Sequence, residues 1–134
     1  MTPVNCHANM GYLSGQVAFG PSGELIAEGR LGDDVSLDIG IQCARQAAAN
    51  AIAVLERSLG DLGLIAALQK LTVFVACTGD FRRQPEVANG ASEVLYAVMQ
   101  ERGRHARSAI GVAALPLGSP VEIELSFVLA KVND

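Results

Sequence analysis

The sequence of 134 residues contains no tryptophan, and its aromatic residues are only two Tyr and four Phe. A core without large rings must be packed from small and branched aliphatic side chains, which are plentiful because half of the chain is hydrophobic. Stacking platforms for nucleic-acid bases are correspondingly scarce. A chain of this length buries about two-thirds of its unfolded surface, so it can fold without a metal or a disulfide. We therefore predict a single domain over residues 1–134.

Cysteine is also rare, and its positions exclude two common uses. Cys6, Cys43 and Cys77 are widely spaced and odd in number, and they form neither a CxxC pair nor a zinc-binding spacing. Because free cysteines are commonly buried, Cys43 and Cys77 are predicted to be small core residues. The sequence also lacks HExxH, paired His ligands and a glycine-rich phosphate loop. No metal and no organic cofactor is indicated, and unpaired thiols favour a cytoplasmic location.

Long hydrophobic runs and an excess of positive charge are absent as well. The longest helical stretch, 35–59, is interrupted by charged and amide side chains, whereas a membrane span needs about 20 mostly apolar residues. Residues 1–10 lack the basic start and the apolar segment of a signal peptide. A net charge of −4 disfavours nucleic acid as a partner. The mean hydropathy of +0.31 is high for a chain without a membrane segment, which indicates a surface partly covered by other copies.

The apolar periodicity predicts two helices. Ser36 is a candidate N-cap and Gly60 a candidate C-cap of the first helix. Apolar residues recur between them at spacings of three or four: Leu37, Ile41, Ala44, Ala48, Ile52, Leu55 and Leu59. Pro85 is well placed at the start of the second helix, which ends before Gly103. The apolar stripe of that helix consists of Val87, Ala91, Val94, Leu95 and Val98.

Segments of β-prone residues predict the strands around these helices. A hairpin over residues 11–27 turns at 20–23, where Pro and Gly supply the required dihedral angles. Residues 71–76, 107–114 and 121–131 are predicted to form three further strands, and residues 1–10 an irregular segment.

The last two strands follow each other directly and are expected to pair antiparallel. This pairing places Ala113 opposite Glu122 and turns Arg107 to the same side as Glu122, because strand side chains alternate. Ala109 and Gly111 lie on that side too. Small residues allow another backbone to approach closely, so we expect this face to meet neighbouring subunits and the helices to cover the other face.

Several spaced motifs resemble the RidA/YjgF family. They are GYLSGQ at 11–16, GDDVS at 32–36, TVFV at 72–75, NGAS at 89–92, HARSA at 105–109 and VEIE at 121–124. Their common order over about residues 11–132 is more specific than any one motif, and the chain most resembles the branch with NGASEVL and GRHARSAIGVAALPL. The resemblance implies an α+β, chorismate-mutase-like fold, in which a mixed sheet carries two helices on one face and three chains form a homotrimer with clefts between subunits.

The same resemblance implies an activity. Better-studied members hydrolyse reactive enamines and imines, such as 2-aminoacrylate, to 2-keto acids and ammonia without a cofactor. In them an Arg at the position of Arg107 holds the substrate carboxylate, and a Glu at the position of Glu122 helps to position the hydrolytic water. A guanidinium suits this task because its rigid fork of donors binds both carboxylate oxygens. The residues alone leave an alternative open for each. Arg107 could form a surface or inter-subunit salt bridge, and Glu122 could be an edge-strand carboxylate without a role.

Five further residues are candidates for substrate binding by their position: Ser14, Gly15, Phe74, Asn89 and Ala109. Two features depart from the family. Many active members carry Cys at the position of Ala109, and the segment before the first strand is replaced or shortened to MTPVNCHANM. A trimer that binds or senses a small carboxylate without turnover therefore stays open as an alternative. RNA cleavage, reported for other relatives, is disfavoured by the acidic composition.

Overall fold

The computed structural model describes residues 1–131, which form five strands and two long helices. The strands are β1 (Val4–His7), β2 (Met10–Val17), β3 (Ile65–Ala76), β4 (Ala106–Val112) and β5 (Val121–Leu129), and the helices are α1 (Leu37–Leu59) and α2 (Gln84–Met99). The expected α+β fold, a mixed sheet with both helices on one face, is confirmed. Residues 132–134 of the predicted domain lie outside the described residues. None of the helices within 1–131 is long and apolar enough to span a membrane.

The strands lie in the order β1-β2-β5-β3-β4. β5 is antiparallel to both of its neighbours, whereas β4 is parallel to β3. The parallel pair follows from its connection: α2 carries the chain back across the sheet before β4 begins, as parallel neighbours require. The sheet is therefore mixed, with β1 and β4 at its edges.

The antiparallel pairing predicted for the last two strands is wrong. β5 lies between β2 and β3 and does not contact β4 as a partner, so Ala113 is not opposite Glu122. The residues of β5 that face the helices are all buried: Val121, Ile123, Leu125 and Phe127. A strand this apolar is best shielded at the centre of the sheet, with a strand on each side.

The N-terminal part of the chain also differs from the prediction. Residues 4–7 are not irregular but pair with β2 as the edge strand β1. Three of its four residues are exposed, so it has no apolar alternation from which the sequence could have revealed it. The turn at 20–23 forms, but the predicted hairpin reduces to a single bridge between Phe19 and Leu25. The partners of β2 are β1 and β5 instead.

Both ends of α1 are capped as predicted. The Ser36 hydroxyl accepts a hydrogen bond from the Ile39 N–H at 3.2 Å, and Gly60 has a φ of 86°, with its N–H donating to the Glu56 carbonyl. Pro85 lies in the first turn of α2. The helices pack closely because α1 turns small residues inward: Gly40, Cys43, Ala44, Ala47, Ala48 and Ala51. Val98 is the exception to the predicted stripe of α2, since it is 48% exposed.

Replacing Ser36 by alanine is expected to lower the free energy of unfolding by about 1 kcal/mol, because the Ile39 N–H loses its acceptor. Urea denaturation followed by circular dichroism measures the change. Ser58→Ala is a matched control, because Ser58 lies exposed in the last turn of the same helix. Equal midpoints for the two variants would contradict the capping role.

The two faces of the sheet are fixed by the register of the parallel pair. Arg107 is level with Leu71 and Ala109 with Val73, and both β3 residues are buried under the helices. The side chains of Arg107, Ala109 and Gly111 therefore face the helix layer. The prediction that the helices cover the other face is therefore wrong, whereas contact of this small-residue face with other subunits stays a prediction. At Gly111 a Cβ would lie 2.7 Å from Cys77 Sγ, so the absence of a side chain allows this close approach within the chain.

Candidate functional site

The Arg107 side chain is held at the edge of the helix layer by two residues of α2. Its Nη1 donates to Asn89 Oδ1 at 2.8 Å and to Ser92 Oγ at 3.3 Å. The four ion pairs found within residues 1–131 involve other arginines, and none includes Arg107. Within the described chain the guanidinium is therefore oriented by neutral groups, and its positive charge is not neutralised by a fixed carboxylate.

Ser92 connects Arg107 to a histidine. Its Oγ lies 2.9 Å from His105 Nε2, and His105 Nδ1 lies 2.7 Å from the Gly103 carbonyl oxygen. A carbonyl oxygen only accepts, so in the neutral ring Nδ1 carries the proton and Nε2 accepts from the Ser92 hydroxyl. His105 is half-buried and bonded at both ring nitrogens, so it is not a solvated surface histidine.

A shallow, largely open cavity of about 580 Å³ lies beside this cluster. Its lining comes entirely from α2 and the turn that follows it: Asn89, Ser92, Glu93, Tyr96, Ala97 and Gln100. The Glu93 carboxylate at its rim is paired with Arg45 at 2.9 Å. The cavity is large enough for a small metabolite and has one apolar wall.

Glu122 lies on the opposite face of the sheet, where no helix covers it. It is level with Phe74 in β3 and with Val17 in β2. A Cβ on Gly15 would lie 2.8 Å from Glu122 Cδ, so the absence of a side chain at Gly15 leaves room for this carboxylate. Partial burial raises the pKa of Glu122 above its ordinary value, and the neighbouring charge of Glu124 raises it further.

Arg107 and Glu122 therefore do not share a face, as the sequence had led us to expect. Arg107 pairs with Leu71 of β3, and Glu122 pairs with Phe74 of the same strand. Leu71 and Phe74 are three residues apart, so their side chains, and those of their partners, point to opposite sides of the sheet. Asn89 and Ala109 lie on the same side of the sheet as Arg107, whereas Gly15 and Phe74 lie on the same side as Glu122. Each chain thus carries two half-sites, separated by the thickness of its own sheet.

Ser14 joins neither half-site. Its hydroxyl donates to the Thr2 carbonyl at 3.1 Å and approaches Met1 Sδ at 3.4 Å, and its N–H donates to the Pro3 carbonyl. The register of β2 shifts between Leu13 and Gln16, and Ser14 lies within this irregularity. In the single chain its role is to tie down the N-terminal residues.

The family model described as "YjgF/chorismate mutase-like, putative endoribonuclease" matches residues 3–131. The chain belongs to the YjgF/RidA family. Protein TCP17 of Trypanosoma cruzi is 38% identical over 120 residues, which are 89% of this chain and 74% of that protein. Among crystal structures, Atu1372 of Agrobacterium tumefaciens, a protein with unknown function, is 37% identical with a TM-score of 0.92, covering 96% of this chain and 82% of the other. The Escherichia coli YjgF gene product is 27% identical with a TM-score of 0.66, covering 94% and 85%.

The departure from the family pattern that we noted in the sequence of this YjgF/RidA chain is the alanine at position 109. Ala109 is half-buried and packs against the core beneath Arg107, so no thiol stands at that point. The cysteines lie elsewhere: Cys43 and Cys77 are buried as predicted, and Cys6 is exposed. Burial raises the pKa of the Cys43 thiol to about 11, which keeps it protonated and unreactive. Within residues 1–131 no three His, Cys, Asp or Glu side chains are grouped to hold a metal ion.

Sequence reasoning missed Ser92 as a neighbour of Arg107 in this family member. The available signal was its spacing: Asn89 and Ser92 are three residues apart in a predicted helix and so share a face. It also missed a second cavity of about 460 Å³ at the ends of β3 and β4. Arg30, Thr78 and Arg82 line that cavity, and they come from loops whose approach no local pattern reveals.

Proposed function

We propose that this YjgF/RidA-family chain is a cofactor-independent hydrolytic deaminase of small enamines and imines that carry a carboxylate, acting as a cytoplasmic homotrimer. The observation that carries the proposal is that Arg107 is held by hydrogen bonds but forms no ion pair within the described residues. Asn89 and Ser92 engage only its Nη1, and no carboxylate within residues 1–131 pairs with it. A guanidinium that is oriented but not neutralised is suited to bind a carboxylate ligand.

The reaction asks little of the protein beyond orientation. The enamine tautomerises to the imine, water adds to the imine carbon, and the carbon–nitrogen bond breaks to give a 2-keto acid and ammonia. Binding the carboxylate at Arg107 fixes the position of the imine carbon, and a carboxylate base that accepts a proton from water accelerates its attack. Glu122 suits the second task, because its raised pKa brings it closer to neutral pH than an ordinary glutamate.

The separation of the two half-sites supports the oligomeric part of the proposal. Arg107 and Glu122 of one chain lie on opposite faces of its sheet, so a substrate can meet both only if Glu122 comes from another copy. A contact between two different surfaces is heterologous and forms a ring when its rotation closes. The uncovered sheet face presents Tyr12 and Ile110, which are 55% and 45% exposed and offer apolar area to a neighbouring copy. Three is the number that the family resemblance implies.

Ammonia release from freshly generated 2-aminoacrylate tests the proposal. We expect the wild type to exceed the uncatalysed rate and Glu122→Gln to lower kcat by about 10²- to 10⁴-fold with little change in KM, because the base is lost and the carboxylate contact remains. Wild-type release equal to the uncatalysed rate would refute the deaminase. An accompanying rise in melting temperature with a small carboxylate would then identify a binding protein, which the alanine at position 109 favours.

The pH profile separates a base from a merely structural carboxylate. Glu122 acts as a base when ionised, so activity should rise with pH through a limb above the ordinary glutamate value, and Glu122→Gln should lack this limb. Glu124→Gln is the matched control on the same strand face. It removes the charge that helps to raise the pKa of Glu122, so the limb should move to lower pH while turnover persists.

A further inference from the structure

Ser92, His105 and Gly103 have the arrangement of an activated nucleophile. The hydroxyl donates to His105 Nε2, and the Gly103 carbonyl holds the opposite ring nitrogen, which fixes both the tautomer and the ring orientation. A nucleophile, a base within hydrogen-bond reach and a group that orients the base are the three parts that nucleophilic catalysis by serine requires. Ser92 is half-buried and lines the 580 Å³ cavity, so space for a ligand lies next to the hydroxyl.

A group that stabilises negative charge contacts the same hydroxyl. Arg107 Nη1 lies 3.3 Å from Ser92 Oγ. Asn89 Oδ1 accepts from the same Nη1 and so helps to fix the position of the guanidinium. Fixed donors next to a nucleophile stabilise either an oxyanion formed there or a carboxylate bound there. The cluster thus combines nucleophile, base and electrostatic stabilisation within one chain.

The cavity indicates the size and polarity of a ligand. Tyr96 and Ala97 form its apolar wall, whereas its charged rim residue, Glu93, is already paired with Arg45. The apolar wall suits an acyl group of a few carbons, and Arg107 lies behind Asn89 and Ser92, which line the cavity. A terminal carboxylate on that acyl group has the charge to bind Arg107 while its carbonyl carbon approaches Ser92.

We propose that Ser92 and His105 give this chain a second activity, the hydrolysis of small esters whose acyl part carries a carboxylate. Ser92 Oγ bonds to the carbonyl carbon as its proton passes to His105 Nε2, and the bond to the alcohol oxygen breaks, so that the alcohol leaves with that proton. Water then attacks the acyl carbon and gives a proton to His105 Nε2. The bond to Oγ breaks, and Ser92 regains its hydrogen from His105. The sum is ester and water giving acid and alcohol.

This activity differs from the deaminase in its chemistry and in the second group that it needs. It breaks a carbon–oxygen bond, proceeds through a covalent intermediate and uses no group from the uncovered sheet face. Glu122 of a neighbouring copy is not required. The two activities share Arg107, which serves both because each substrate presents a carboxylate.

Hydrolysis of 4-nitrophenyl hydrogen succinate by the full chain tests the proposal. We expect release of 4-nitrophenolate above the buffer rate, loss of that excess in Ser92→Ala, and a decrease of about 10²- to 10⁴-fold in His105→Gln. Ser108→Ala is the matched control, because Ser108 lies on the opposite face of β4, level with Thr72. 4-Nitrophenyl acetate, which lacks the carboxylate, should react more slowly than the succinate ester.

A covalent probe tests the role of Ser92 in the wild-type protein, so the result does not depend on whether a variant folds. Wild-type protein is incubated with an alkyl fluorophosphonate, and peptide mass spectrometry locates the adduct. The proposal requires the adduct on Ser92. A wild-type ester rate equal to buffer, a full rate in Ser92→Ala, or labelling at another serine instead would overturn it. Ammonia release without ester hydrolysis refutes the Ser92 proposal and leaves the deaminase proposal intact. Ester hydrolysis without ammonia release refutes the deaminase and leaves the Ser92 proposal intact.

Discussion

Arg107→Ala is expected to lower kcat/KM for 2-aminoacrylate by roughly 10²- to 10³-fold, because two charge-assisted hydrogen bonds to the substrate carboxylate are lost. Most of the loss should appear in KM, since the carboxylate is bound in the ground state as well as in the transition state. Arg107→Lys keeps the charge but not the planar fork, so it should recover only part of the rate. Ammonia release over a range of substrate concentrations separates kcat from KM.

Arg57→Ala is the matched control for this experiment. Arg57 is an exposed arginine in the last turn of α1, so the variant changes the net charge equally without touching either half-site. Asn89→Ala tests the orientation of the guanidinium, because it removes the 2.8 Å acceptor of Nη1 and keeps the charge. Arg107→Ala with unchanged kcat/KM would show that the carboxylate binds elsewhere.

Phe127→Ala is expected to lower the free energy of unfolding by about 3–5 kcal/mol, the cost typical of emptying a ring-sized site in a packed core. Phe127 is fully buried in the central strand, and it is the largest of the fully buried side chains. Chemical denaturation measures the change. Phe19→Ala is the control, because Phe19 is 38% exposed and should contribute much less.

A second variant tests where the ring packs. Gly11 lies opposite Phe127 in the antiparallel register, and a Cβ on Gly11 would clash with the ring. Gly11→Ala should therefore cost about 1–3 kcal/mol in the wild type, as overpacking does. In a Phe127→Leu background the same substitution should cost less. Equal costs in both backgrounds would contradict the direct contact, because coupled residues deviate from additivity.

The elements that the sequence predicted correctly are those with local signals. Ser36 and Gly60 mark α1 because a cap involves residues only a few positions apart. The pairing of β5 with β2 and β3 has no such signal, since the partners are far away in the chain. Adjacent strands often form hairpins, and that tendency led to the wrong partner for β4.

The sequence indicated individual candidate residues of the site but not their positions relative to one another. The motifs singled out Arg107 and Glu122, yet placing them on one side depended on the mistaken pairing of β4 with β5. Ala109 and Gly111 were placed on the face opposite the helices, because small residues suit a contact between subunits as well as a close contact with a helix. In this chain α2 approaches them, as the position of Gln84 next to Gly111 shows. Only the tertiary structure shows that these residues face the helix layer.

The central place of β5 has a consequence for how the chain folds as it is synthesised. β1 and β2 emerge from the ribosome first and β3 and β4 later, and β5 then enters between the two pairs and joins them. Until residues 121–129 are available, β2 and β3 each expose an unpaired edge, and the apolar surface beneath both helices stays incomplete. Such edges invite association with other nascent chains. Assembly of the sheet is therefore delayed until β5 has been synthesised and can enter between the two pairs.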